Sequence, residues 1–250
     1  MSRSGQQPPA LGPREVHLWY SRPEQVTDDE HVAELLELLS QEERARYKRF
    51  WFDKDRHHFL VAHALVRTTL SRYADIPPLG WQFEANRYGR PEIVGHKINA
   101  PLRFNLSHTK GLVVCAVVLD REIGVDVENI GRADADLKIA RRFFSPSEVA
   151  DLEALAPERQ SEAFIDYWTL KEAYIKARGM GLAIPLRQFS FHLMKGEPVR
   201  ISFAPELKDE PSRWQFAQLR PTECHLVSIA VERLGDADVN IVSREIVPRG

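Results

Sequence analysis

Apolar and polar residues first alternate in the chain over residues 15–20, EVHLWY, with the period of a half-buried strand. Thr27-x-x-Glu30 then reads as a capping box that opens a helix carrying Leu35, Leu36, Leu38 and Leu39. A second box, Ser40-x-x-Glu43, starts a basic helical stretch through Arg49. An amphipathic helical pattern covers about residues 55–73 and stops before Pro77-Pro78. Residues 80–104 predict short strands and turns, including Asn86-Arg87-Tyr88-Gly89. Two runs rich in β-branched residues, 112–119 and 123–130, flank Asp120-Arg121-Glu122 and predict a hairpin. Helices are predicted at about 134–143, 146–155 and 158–178, the last stopped by Gly179 and Gly181. Residues 189–234 predict short strands, followed by a polar C-terminal tail, and residues 1–14 predict a disordered one.

The 250 residues allow one large domain or two small lobes. A repeat favours the second. Ser40-x-x-Glu43 precedes Arg67 by 27 residues, and Ser145-x-x-Glu148 precedes Glu172 by 27. Each half thus reads as a capped helix, a long helix and then strands, with a site between the halves. A net charge of −2 argues against non-specific nucleic-acid binding and against a polybasic membrane anchor. An acidic partner must therefore meet a local basic patch. No apolar signal core or bilayer-length segment is seen, so the expectation is a cytoplasmic, reduced protein. Cys115 and Cys224 both sit in apolar runs, which predicts inert core residues. There is no CxxC or HExxH to suggest zinc.

Chemistry concentrates in four segments. In Gly124-Val125-Asp126-Val127-Glu128, strand alternation puts both carboxylates on one face. That face is either solvated or neutralised by a cation. In Trp168-Thr169-Leu170-Lys171-Glu172-Ala173-Tyr174-Ile175-Lys176, helical spacing aligns Trp168, Glu172 and Lys176, with Lys171 beside them. Glu172 and Lys176 form either a surface pair or a metal carboxylate with a phosphate-binding lysine. Phe104-Asn105-Leu106-Ser107-His108-Thr109 lacks a nucleophile elbow and suits a grip on a ligand's phosphate or hydroxyl. Gly89-Arg90-Pro91 sets a cation on a tight turn.

Taken in order, NRYGRPEI, FNLSHT, IGVDVE, FFSPSE and WTLKEAYIKARGMGL resemble the 4′-phosphopantetheinyl transferase family in its two-lobed, surfactin-synthetase-activating form. The resemblance covers residues 86–182, with looser agreement from Arg49 to Arg67. It implies an α+β fold of two similar, pseudo-twofold-related lobes, each a small, mainly antiparallel sheet packed with helices. The lobes are expected at 15–122 and 123–250, after the 1–14 tail, with the active site at their interface. The implied reaction is Mg²⁺-dependent transfer of the phosphopantetheine arm of coenzyme A to a serine of an acyl or peptidyl carrier protein, releasing adenosine 3′,5′-bisphosphate. Mn²⁺ is an alternative ion.

Residue by residue, the resemblance assigns Asp126, Glu128 and Glu172 to the metal, Lys176 to the transferred phosphate and Lys171 to its neighbourhood. Ser107 and His108 grip the coenzyme, Arg90 replaces the family's lysine in its glycine-lysine-proline turn, and Arg49, Lys54 and Arg67 clamp the 3′-phosphate. Glu148 matches a glutamate proposed as the general base, but it also fills the third position of its own capping box. Both roles stay open on the sequence. The implied partner is an acidic helical carrier domain, and the implied state a monomer. Arg141, Arg142, Phe143 and Phe144 are docking candidates, with at least one phenylalanine expected in the core. The rival readings are another Mg²⁺-dependent phosphoryl or nucleotidyl transferase, weakened by the absence of GxxxxGK[ST], and a non-catalytic coenzyme- or carrier-binding module.

Overall fold

The computed structural model describes residues 10–95, 101–131 and 137–250, so most of the expected 1–14 tail and the first residues of the helix expected at 134–143 lie outside the described residues. Two four- and three-stranded sheets carry the architecture. In the first, β1 (Glu15–Ser21) and β4 (Leu102–Thr109) both pair antiparallel with β5 (Leu112–Leu119). In the second, β10 (His225–Glu232) lies between β6 (Ile123–Asn129) and β9 (Trp214–Thr222), antiparallel to both. Two two-stranded ribbons flank these sheets: β2 (Gln82–Ala85) with β3 (Pro91–Val94), and β7 (Phe189–His192) with β8 (Arg200–Phe203).

Alternation within β5 explains how the layers stack. Val113, Cys115 and Val117 face a long helix, α3 (Asp53–Leu70), while Leu112, Val114, Ala116 and Val118 face the second sheet. Val125 and Val127 of β6 meet them there, together with Val227 and Ile229 of β10. On the far side, α6 (Pro157–Arg178) packs its Leu170, Ala173, Tyr174 and Ala177 against the second sheet and its flanking aromatics. Each buried Val, Leu or Ile side chain among these contributes roughly 1.5–3 kcal/mol. The result is the expected α+β, two-lobed arrangement: helix, sheet, sheet, helix. Shorter helices flank the long ones: α1 (Asp29–Glu37) and α2 (Gln41–Tyr47) before α3, α4 (Leu137–Phe143) and α5 (Pro146–Glu153) before α6. None of the helices among the described residues is long and apolar enough to cross a membrane.

Four expectations are corrected. The runs at 112–119 and 123–130 do not form a hairpin, because both edges of β5 are already taken by β1 and β4. Asp120, at φ +46°, reverses the chain, and Ile123 starts in the other sheet. The tight hairpin is instead β4–β5, turning at Lys110-Gly111 with Gly111 at φ +87°. The polar C-terminal tail is a strand, β11 (Asn240–Glu245), parallel to β1 at the sheet edge, where one solvated face makes the segment read as polar. The first helix is capped by Asp28 rather than Thr27, its carboxylate accepting the His31 amide at 2.7 Å. Cys115 is buried as expected, but Cys224 is exposed, lying in the turn ahead of β10.

Candidate active site

Gly124 sets the site's geometry. A Cβ there would overlap the carbonyl oxygen of Ala173 and the amide nitrogen of Ala177. β6 and α6 are therefore in direct backbone contact, which only glycine permits. That contact brings the carboxylates two and four residues along β6 beside the charged face of α6.

The neighbouring strand, β4, has no backbone ladder with β6 and joins it through side chains instead. Asn105 Oδ1 accepts the Val125 amide at 2.9 Å, Ser107 donates to Asp126 Oδ1 at 2.9 Å, and Thr109 donates to Glu128 Oε2 at 3.2 Å. These three residues alternate along FNLSHT and so share a face. Of them only Ser107 was singled out by motif; the period of two in polar positions was the signal for the other two. Lys176, on α6, lays its Nζ 2.6 Å from Asp126 Oδ1 and 2.9 Å from Ser107 Oγ. The structure thus brings together Asp126, Ser107 and Lys176 from the two sheets and α6.

Glu172 belongs to the same electrostatic unit. Burial, with the charges of Asp126 and Glu128, raises its pKa to about 7 against the lowering effect of Lys176. No three His, Cys, Asp or Glu side chains among the described residues stand close enough to share an ion. The donor set nevertheless fits a divalent cation. Asp126 Oδ2 is buried without a hydrogen-bond partner, and the negative charges acting on Glu172 are opposed there by one ammonium. Oxygen donors of this kind suit Mg²⁺.

A cleft of about 1060 Å³ opens beside this cluster. Arg46, Lys54, His57 and His58, with the acids Glu24 and Asp55, line one wall, and His108 and Lys110 the other. His108 presents an exposed edge to the cleft, and crowding by the wall, with the charges of His58 and Lys176, lowers its pKa. Arg46, His57, His58 and Lys110 were not anticipated; the basic stretch at the second capping box was the available signal for Arg46. Cys224 also lines this cleft.

Several expected ligand residues are placed elsewhere. Arg67 is 2% exposed and spends its donors inside the fold, on Glu43, on the carbonyls of Pro78 and Trp81, and over the ring of Phe83. Arg49 is exposed and does not line the cleft. Arg90 bonds Glu122, Glu92 and the Ala177 carbonyl, so it fastens the C-terminal end of α6 to the first lobe. Its guanidinium occupies the space a Cβ at Gly179 would need. Lys171 is fully buried, with its ammonium on Glu148 Oε2 at 2.8 Å and on the carbonyls of Leu186 and Phe189. Burial pulls its pKa to about 8, with Glu148 opposing that fall.

Glu148 is equally enclosed. Its Oε2 accepts the Ser145 amide and hydroxyl and the Lys171 ammonium, and its Oε1 accepts the Phe191 amide at 2.9 Å. The capping box is complete, and of the two open roles this is the one the geometry fills. Nearby, Phe144 is core, stacked on Phe164, whereas Phe143 is exposed and Arg141 is tied to Glu153.

Residues 122–231 match the family model described as the 4′-phosphopantetheinyl transferase superfamily, and residues 26–119 match 4′-phosphopantetheinyl transferase, N-terminal. The 4′-phosphopantetheinyl transferase HetI of Nostoc sp. is 34% identical over 222 residues, covering 88% of this chain and 89% of that protein. Sfp of Bacillus subtilis is 35% identical over 178 residues, 71% and 75% of the two chains. A third transferase, gsp of Aneurinibacillus migulanus, is 34% identical over 190 residues, 72% and 76%.

Proposed function

The chain belongs to the 4′-phosphopantetheinyl transferase superfamily, of the Sfp type, and from that premise we propose how its residues carry out the transfer. As an enzyme of this family it transfers phosphopantetheine from coenzyme A to a carrier protein. In our reading the carrier's serine hydroxyl attacks the β-phosphorus of coenzyme A. A new O–P bond forms as the bond to the nucleotide's phosphate oxygen breaks, adenosine 3′,5′-bisphosphate leaves with that oxygen, and the serine's proton is released to solvent.

One observation carries the placement of this step. Asp126, buried with one unpartnered oxygen, is held by Lys176 and by Ser107, whose chain neighbour His108 lines a cleft where Arg46, Lys54, Lys110 and four histidines outnumber Glu24 and Asp55. The pyrophosphate then lies against Lys176, and the nucleotide phosphates lie in the cleft against Arg46, Lys54 and His108. Asp126, Glu128 and Glu172 would hold Mg²⁺, which when bound supplies neutralising charge to the pyrophosphate. Lys176 turns from Asp126 to the transferred phosphate and stabilises charge that grows in the transition state. Ser107 holds Asp126 from the inner face of β4, while His108, next along the strand, faces the cleft and the coenzyme. With lobes at 15–122 and 123–250, the last strand of the second returning to the sheet of the first, this site lies at the seam of the two sheets.

The test is incubation with coenzyme A, Mg²⁺ and a panel of apo acyl and peptidyl carrier domains, read by mass spectrometry. Phosphopantetheine is expected on one carrier serine, and no transfer to any carrier would overturn the reading. In the same assay Asp126→Ala is expected to lose on the order of 100- to 1000-fold in rate while keeping its melting transition. Undiminished magnesium-dependent transfer in that variant would remove Asp126 from the metal site.

A further inference from the structure

Between α2 and α3 the chain presents Lys48-Arg49-Phe50-Trp51-Phe52. Phe50 turns inward onto Phe59, with ring centroids 5.2 Å apart. Arg56 pins the segment by donating to the Phe50 carbonyl at 3.0 Å, pairing with Asp53 and lying over Tyr47. With the loop fixed in this way, Trp51 and Phe52 point outward, 89% and 58% exposed.

Neither aromatic is buried in the fold there. Trp51 is the most exposed large apolar side chain among the described residues, and hydration of that surface is costly. Phe52 occupies the N-cap of α3 without any side-chain cap bond, where Ser, Asp, Asn or Thr would stabilise the helix by about 1 kcal/mol. Around the pair, Lys48, Arg49 and Lys54 are exposed and in no ion pair among the described residues, Lys54 lying 5.7 Å over the Phe52 ring; of the acids in the same stretch, Asp53 is paired with Arg56 and Asp55 is exposed, so the cations are in excess. Exposed aromatics bordered by Lys48 and Arg49, which no ion pair holds among the described residues, form an interface core with a charged rim. The loop also borders the cleft, to which it contributes Phe50, with Lys54 just beyond. The other candidate face is poorer: Phe144 is core, Arg141 is paired, and Phe143 with Arg142 over it remains.

We propose that Trp51 and Phe52, with the rim cation Lys48, form the docking surface for the carrier domain, binding an acidic helical face of that partner. This rests on the transferase reading above. The charge of the rim selects an acidic surface, and continuity with the cleft selects the second substrate, whose serine must reach the coenzyme's pyrophosphate.

Steady-state transfer should be measured for Trp51→Ala, Phe52→Ser and Lys48→Glu, varying coenzyme A and an apo-carrier separately. Phe52→Ser adds a capping hydroxyl, so its melting temperature should hold or rise and misfolding cannot account for its phenotype. For the aromatic variants the KM for carrier is expected to rise by about tenfold or more, with the KM for coenzyme A unchanged. Lys48→Glu should weaken carrier binding more at low salt than at high salt. Unchanged carrier kinetics in all three variants would overturn the docking surface alone. An equal rise in both KM values would assign the loop to the coenzyme, and lost binding to anionic lipid vesicles with intact carrier kinetics would assign it to a membrane. Either result overturns the proposal. A wild-type protein that modifies no carrier overturns the transferase reading and this surface with it.

Discussion

A carboxylate that takes a proton from a serine hydroxyl needs a lone pair facing its substrate, and every oxygen of Glu148 faces the protein. Ser145, Phe191 and Lys171 occupy it in a pocket without solvent exposure. Removing its charge would strand the Lys171 ammonium among carbonyls and rings, a situation that costs about 3–5 kcal/mol for a buried pair. Glu148→Gln is therefore expected to lower the unfolding free energy by roughly that amount in urea titrations. Turnover per folded molecule should stay within about threefold of wild type, since no reacting atom is touched. A loss of 100-fold or more in fully folded Glu148→Gln would return the base to this residue. Exposure distinguishes Lys171 from Lys176, five residues on: each ammonium has three acceptors, but the first is fully buried while the second is partly exposed beside Asp126.

Between elements, the decisive contact is the absence of a side chain. Gly124 lets β6 and α6 touch through their backbones, and Asp126 meets Lys176 because of it. Gly124→Ala is expected to push the two elements apart, lowering stability by about 1–3 kcal/mol as overpacking does. It should also cut kcat more steeply than the loss of folded protein explains, which kinetics normalised to folded enzyme would reveal. Equal activity per folded molecule would show that the carboxylate–lysine geometry tolerates the shift. Much at this scale was legible beforehand. Strand alternation placed Asp126 and Glu128 on one face, helical spacing placed Glu172 and Lys176 on one stripe, and both capping boxes at Ser40 and Ser145 are formed. Pairing partners were not legible, because alternation reports a strand's faces and says nothing of its edges. That is why 112–119 and 123–130 read as a hairpin, and why an edge strand at 240–245 read as a tail. The cations were harder still. Arg67 and Lys171 carry the charge a phosphate needs, and only burial shows that Glu43 and Glu148 already hold them.

Across the whole molecule those two pairs are one device used twice. In each half the capping-box glutamate reaches a buried cation on the long helix that follows, Glu43 to Arg67 and Glu148 to Lys171, locking a short helix to a long one. Glu43 also makes acid stability predictable. Burial raises its pKa, but hydrogen bonds from His63 and Ser40 and the charges of His63 and Arg67 outweigh that and hold it at about 2, below the ordinary 4.5. A depressed folded value means the contribution is fully present above pH 4.5 and is lost as pH falls toward 2. Unfolding free energy is expected to drop across that window by on the order of 3 kcal/mol from this group, and Glu43→Gln should flatten that part of the profile. An unchanged slope in the variant would count against the pair.

The strand at 240–245 carries a consequence for how the protein is made. Its partner at 15–21 is synthesised more than two hundred residues earlier, and at ordinary elongation rates the wait is roughly ten seconds or more. During that interval one edge of the first sheet has no strand to pair with, although β5 can already cover the other. A nascent chain stalled before residue 240 would offer that open edge to any neighbour on the same polysome.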